Sequence, residues 1–187
     1  MFAILSRLDH RFAAHADFVE ARPGLRSFLR VVSHSCDSWY WLIGIVLLWI
    51  IGGSREKSFA FLLAFGLGFL ALFVLALKFL IRRPRPEGEW GQIYRVTDPH
   101  SFPSGHAARA MTVAMLSSFT SAVPVWLVIV LWVWALLVGY SRVALRLHYF
   151  SDVIVGWLIG LLAGMLIPLL TGIFARLFPE IYSWFLR

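Results

Sequence analysis

Residues 59–81 constrain this chain more than any other stretch: of these 23 positions, only Lys78 is charged. As a helix rising about 1.5 Å per residue they reach roughly 35 Å, enough to cross a hydrocarbon core of about 30 Å. Inside that core each backbone N–H and C=O must be satisfied within its own segment, so such a run has to be helical. Four further apolar runs follow the same logic, at 39–51 (extendable back to Ser33), 104–120, 125–140 and 153–170. The expectation is an all-α integral membrane helical bundle with five transmembrane helices. At 60% hydrophobic and 14% charged, the composition departs from a soluble average in the direction that reading requires.

No polar linker divides the chain, so one domain is expected over 1–187: an interfacial segment at 1–32, a transmembrane core at 33–170 and an interfacial tail at 171–187. In the first of these, Phe2, Leu5, Leu8 and Phe12 fall at helical spacing among Arg7, Asp9, His10 and Arg11, the pattern of an amphipathic helix lying on a membrane as a plain surface anchor. Residues 1–8 are too short an apolar stretch to read as a signal peptide. The formal charge of +7 comes from cations at the ends of apolar runs, where anionic head groups or a phosphorylated substrate fit better than nucleic acid. Cys36 is the single cysteine, so neither an intrachain disulfide nor a cysteine-based metal site is expected. No obligatory protein partner is indicated.

The stretch 141–152 lies between two apolar runs yet carries Arg142, Arg146, His148 and Asp152. Ionisable groups at the edge of a bilayer core are costly and point to function. His148 and Asp152 are four apart and on a helix would share a face, where a carboxylate can hold one imidazole nitrogen and leave the other to attack or to move a proton. Threading the five runs alternately through a bilayer brings Lys78 with Arg82–Arg85, Ser104–His106 and Arg142–Asp152 to one membrane face. Gly156, Gly160 and Gly164 form a small-residue ridge that would seat the last helix closely against a neighbour.

Each cluster has a plain structural reading beside the chemical one. Lys78 and the arginines through Arg85 can be a juxtamembrane charge cluster, or Lys78 and Arg85 can converge on phosphate oxygens. Ser104 is a normal N-cap, but the helix start it opens offers free amides, Gly105 a close backbone approach and His106 a proton carrier. Arg109 can touch substrate or extend to the interface. His106, His148 and Asp152 could bind a divalent metal, but Lys78, Arg85 and Arg142 would surround it with like charge. His10, His15, His34 and His100 have no patterned partners and read as surface residues.

These stretches resemble the signature of the type 2 phosphatidic acid phosphatase superfamily of lipid phosphatases. Its KxxxxxxRP motif is met by Lys78, Arg85 and Pro86, its PSGH motif by Pro103 to His106, and its SRxxxxxHxxxD motif by Ser141, Arg142, His148 and Asp152. The resemblance implies His148 as the nucleophile that forms a phosphohistidine, Asp152 as its orienting carboxylate, and His106 as the proton carrier. It implies that Lys78, Arg85, Arg142, Ser104 and the Gly105 N–H hold the phosphoryl oxygens, with no metal or other cofactor. Membrane members usually have a six-helix core, and here residues 1–32 are too polar for a convincing first span.

Within that class the substrate expected is a lipid phosphate or diphosphate, undecaprenyl diphosphate first and phosphatidylglycerophosphate or phosphatidic acid as alternatives. Trp90, Tyr94 and Arg109 are the possible substrate contacts. An anionic-lipid-binding membrane protein is the non-enzyme alternative, and a vanadate-holding haloperoxidase suits a chain rich in lipid-buried spans less well. The expected location is the cell membrane. Arg55, Lys57, Arg176 and Arg187 on the opposite side place the site away from the cytoplasm, whereas the arginines of the N-terminal segment argue the other way.

Overall fold

The computed structural model describes residues 9, 16–87 and 98–186, and every regular element among them is an α-helix. After a helical stretch at 16–20 come α1 (Pro23–His34), α2 (Ser38–Ile51), α3 (Ser54–Ile81), α4 (Gly105–Ser117), α5 (Val125–Ala144), α6 (Phe150–Leu177) and α7 (Pro179–Leu186). Pro23 opens α1 in the first turn, where its fixed φ suits a helix and its missing N–H is no loss.

Three helices, α3, α5 and α6, are long and apolar enough to cross a membrane, and the α1–α2 pair, bent by 50°, makes a fourth if it counts as one broken span. The five runs read from apolarity are thus not five equivalent crossings. The run at 104–120 contributes α4, whose 13 residues span only about 20 Å. Apolarity alone does not separate a lipid-facing helix from one wrapped by others. Ala107, Ala108, Ala110, Met111, Val113, Ala114 and Leu116 are all buried, as befits a short central helix. By contrast α3 and α6 each run for 28 residues, about 42 Å: α3 starts before the expected run and ends with it at Ile81, and α6 extends past both expected ends.

Polarity runs inside out relative to a soluble protein. Along α6, Leu158, Leu162, Leu166 and Leu169 face outward, while Gly156, Gly160, Gly164 and Ile167 are buried. The interior instead holds Lys78, Arg85, Arg142, His148 and Asp152. A bilayer as solvent accounts for both observations, because outward leucines cost nothing against lipid and buried ions gather where they pair.

The glycine ridge meets α4. A Cβ at Gly156 would lie 2.6 Å from the Ser104 carbonyl oxygen, and one at Gly160 only 2.4 Å from that of Ala108. The Thr112 hydroxyl donates to the Gly160 carbonyl at 3.1 Å across the same seam. At the far end of the bundle Phe61 packs on Phe174, Tyr182 and Phe185, and the Trp49 indole donates to the Phe185 carbonyl at 2.7 Å. This aromatic cluster folds α7 back against α2 and α3.

Candidate active site

The end of α5 explains where His148 sits. Arg146 takes a left-handed φ of 55°; its N–H donates to the Val143 carbonyl at 2.9 Å and that of Leu147 to the Arg142 carbonyl at 3.0 Å. These are the paired bonds of a Schellman termination. The His148 N–H also donates to Arg142, at 3.0 Å, so the chain turns back over the helix end. His148 therefore precedes α6 rather than sharing a helical face with Asp152. The two still meet across the first turn of α6, with His148 Nδ1 3.6 Å from Asp152 Oδ2, longer than a hydrogen bond. Asp152 is held from elsewhere: the Tyr149 N–H donates to Oδ2 at 2.9 Å and Arg83 Nη1 to Oδ1 at 2.6 Å.

Arg83 is a site residue that the motif reading passed over. Besides Asp152 it donates to the Ser151 hydroxyl at 2.7 Å and to Asp9 at 2.8 Å, and its guanidinium lies 4.0 Å from the centre of the Tyr149 ring. Asp9 in turn accepts the Ser151 N–H at 3.0 Å. A carboxylate at a helix N-terminus is favourably placed, so the N-terminal segment does more than anchor the surface: at Asp9 it closes the start of the helix that carries Asp152. The other residues of that segment before 16 lie outside the described residues.

Lys78 and Arg85 converge, here on a carboxylate that the sequence reading did not single out. Asp98 accepts from Lys78 Nζ at 2.8 and 3.0 Å and from Arg85 Nη2 at 2.8 Å. Lys78 also donates to the His100 carbonyl at 2.7 Å, and the His100 ring packs edge-on to Phe79, so His100 has partners that the sequence did not reveal. Arg85 Nη1 reaches the Leu147 carbonyl at 2.8 Å and His148 Nε2 at 3.2 Å. Arginine can only donate, so the Nε2 lone pair points at the cations and the ring proton rests on Nδ1, facing Asp152. Burial first, and then the charges of Arg142, Arg85 and Lys78, hold the His148 imidazole well below the ordinary histidine range, so it stays neutral. Arg142, 1% exposed, donates to the Ser33 hydroxyl at 2.7 Å.

The PSGH segment joins the same group. The Ser104 N–H donates to the Asp152 carbonyl at 3.0 Å, tying the start of α4 to the start of α6. Ser104 occupies the N-cap position without a side-chain cap, and among the described residues its buried hydroxyl has no hydrogen-bond partner. Simple capping therefore does not account for it. His106 Nε2 lies 2.8 Å from Asp37, which also holds His34 Nδ1 at 2.9 Å, so His34 too has a partner the sequence did not reveal. Arg109 donates to the Cys36 carbonyl at 2.7 Å and lines the cavity, rather than extending to the interface. Trp90 and Tyr94 lie outside the described residues.

One cavity of about 430 Å³ is lined by part of this group, while Arg85, Ser104, Arg142 and Asp152 stand behind its lining. Its polar end is formed by Lys78, His106, Arg109 and His148, and its wall by Leu67, Leu70, Ala71 and Val74 along one face of α3. Gly105 lines it too, and a Cβ there would meet only Val74, at an ordinary 3.6 Å. The fold thus leaves room for alanine where an approaching substrate would not. Gly105→Ala is expected to leave the stability within about 1 kcal/mol of wild type while lowering turnover tenfold or more, on the order of a lost transition-state contact. Purified variant and wild type compared by melting curve and phosphate release would check both halves.

A family model described as the PAP2 superfamily matches residues 59–175, well over half of the chain and all three motifs. The chain belongs to the PAP2 superfamily. This PAP2 chain is 32% identical over 126 residues to the undecaprenyl-diphosphatase of Sulfolobus acidocaldarius, an alignment covering 65% of this chain and 59% of that protein. It is 33% identical over 142 residues to the decaprenylphosphoryl-5-phosphoribose phosphatase of Mycobacterium tuberculosis, covering 74% and 76%. Two crystal structures share its fold, each with a TM-score of 0.67 and 25% identity: LpxE of Aquifex aeolicus, covering 84% of this chain and 92% of that one, and a transmembrane PAP2 type phosphatidylglycerolphosphate phosphatase from Bacillus subtilis, covering 91% and 94%. The chain is an all-helical member of a family of membrane phosphatases, as the three motifs implied.

Proposed function

We propose that this PAP2 protein is a single-unit, metal-independent membrane phosphatase that cleaves a polyprenyl diphosphate, through a phosphohistidine on His148. The observation that carries this reading is a neutral, buried imidazole whose Nε2 faces Arg85, beside Lys78, at the polar end of a cavity with an apolar wall. Lys78, Arg85 and Arg142 supply the fixed positive charge that suits a phosphoryl group and would oppose a divalent cation. His148 Nε2 attacks the terminal phosphorus as the P–O bond to the leaving group breaks. Asp152 takes up the positive charge that builds on Nδ1, and His106 gives its proton to the departing oxygen. Water then attacks the phosphohistidine, His106 takes a proton back, and inorganic phosphate leaves with His148 restored.

A wall of Leu67, Leu70, Ala71 and Val74 along α3 suits a hydrocarbon chain running from the polar end toward the membrane interior. Both sequence relatives above carry polyprenyl names, which favours a polyprenyl substrate over phosphatidylglycerophosphate or phosphatidic acid. Phosphate release from undecaprenyl diphosphate, phosphatidylglycerophosphate and phosphatidic acid in one detergent assay tests the choice. The polyprenyl diphosphate is expected to give the highest kcat/KM. A faster glycerolipid would reassign the substrate, and no turnover of any of the three would favour a lipid-binding role.

The site faces away from the cytoplasm in this proposal, because Arg55, Lys57 and Arg176 lie at the other ends of α3 and α6. Glu87 is exposed beside the site, whereas Cys36 is buried. A membrane-impermeant thiol reagent should label Glu87→Cys in intact cells; labelling only after permeabilisation would reverse the orientation.

A further inference from the structure

Asp37 stands outside all three motifs, yet its carboxylate holds one of their histidines. It occupies the N-cap of α2, where an aspartate ordinarily accepts from amides of the first turn, but it makes no such bond. Instead Oδ1 lies 2.8 Å from His106 Nε2 and Oδ2 lies 2.9 Å from His34 Nδ1. An ionised carboxylate only accepts, so each imidazole presents its N–H to Asp37. The position is fixed by its surroundings. Arg109 donates to the Cys36 carbonyl at 2.7 Å, the Cys36 thiol lies 3.4 Å from the His106 carbonyl, and the Trp134 indole donates to the Ser35 hydroxyl at 2.8 Å. These contacts pin the break between α1 and α2, where the pair bends by 50°, against α4 and α5.

We propose that Asp37 is a positioning residue for His106, a counterpart on the leaving-group side of what Asp152 does for His148. By accepting the Nε2–H hydrogen bond it fixes the tautomer, keeps Nδ1 for the proton that is exchanged, and stabilises the imidazolium that exists before each transfer to the leaving oxygen. His34 holds the second carboxylate oxygen and prevents Asp37 from rotating away. This inference rests on the reading of His106 as proton carrier.

A leaving group that departs as a stable anion needs no proton, whereas an alkoxide does. The test compares turnover of dodecyl phosphate with that of a nitrophenyl phosphate bearing an alkyl chain of similar length. Asp37→Asn is expected to lower kcat on the alkyl ester by at least about tenfold more than on the aryl ester, within the range of general acid catalysis, with KM little changed. Asp37→Glu, which keeps the carboxylate, should recover part of the loss. Because both rates come from one preparation, their ratio is independent of how much protein is folded. An unchanged ratio in Asp37→Asn while His106→Ala shifts it would overturn the role of Asp37 alone. An unchanged ratio in His106→Ala would instead remove the underlying assignment of His106.

Discussion

His148→Ala is expected to lower phosphate release by more than about 10³-fold, the scale seen when a nucleophile that works as part of a unit is removed. The expectation follows from geometry that no neighbour can replace. The Arg142 carbonyl fixes the His148 backbone, Arg85 marks the direction of Nε2, and Asp152 lies behind Nδ1. Wild-type protein quenched during turnover of a lipid labelled in its terminal phosphate should carry label that survives alkali and is lost in acid, as a phosphohistidine does; the variant should carry none. Millimolar EDTA should leave the wild-type rate unchanged. The pH profile of kcat/KM adds a second reading, since it reports groups of the free enzyme. Protonation destroys the nucleophile, and burial and the surrounding cations hold His148 well below its ordinary value. The acid limb should therefore fall below about pH 6.5, the unperturbed histidine value. Lys78→Gln removes one of those cations and should move the limb upward. Substantial turnover by His148→Ala would end the proposed mechanism.

How much of this was legible in the sequence depended on what kind of interaction placed each residue. Lys78, Arg85, Ser104, Gly105, His106, Arg142, His148 and Asp152 could be grouped because they sit at the ends of apolar runs, and helix length alone carries such ends to one membrane face. The α4–α6 seam was legible for a similar reason, since Gly156, Gly160 and Gly164 repeat at helical spacing. The partners that tune these groups left no such trace. Asp98 reaches Lys78 and Arg85 from across the polar connection, and Asp37 reaches His106 from 69 residues away. Each is a single acidic residue without local pattern, and an excess of cations near the site says only that some carboxylate is needed. Arg83 looked like one more juxtamembrane cation because nothing near it in sequence shows that Asp152 lies within 2.6 Å. The helical face assumed for His148 and Asp152 gave way to a turn because Arg146 adopts the left-handed conformation, which is uncommon for a residue other than glycine. That the short α4 is wrapped by other helices was not legible, because alanines buried among helices and alanines facing lipid look alike in one dimension.

The seam itself offers the test of whether the site depends on helix spacing as well as on its charged groups. Gly160→Ala is expected to cut turnover by about 10²-fold, the loss that follows a displacement of about 1 Å between catalytic groups. The added Cβ would stand 2.4 Å from the Ala108 carbonyl oxygen and 2.8 Å from the Met111 Cβ, and a backbone carbonyl cannot swing aside as a flexible side chain would. The two helices must move apart. Ser104, Gly105 and His106 lie at the start of one and Asp152 at the start of the other, joined by the Ser104 N–H bond to the Asp152 carbonyl, so the strain acts directly on the spacing of the two halves. Overpacking of this kind should also lower stability by about 1–3 kcal/mol. Gly172→Ala supplies the control on the same helix, because a Cβ there meets nothing within 4 Å; it should leave turnover unchanged and, by reducing the freedom of the unfolded chain, stabilise by about 0.4–1 kcal/mol. Melting curves and phosphate release measured on both variants separate the effects. If Gly160→Ala kept wild-type turnover, α4 and α6 would tolerate separation, and the close approach of the glycine ridge would concern packing alone.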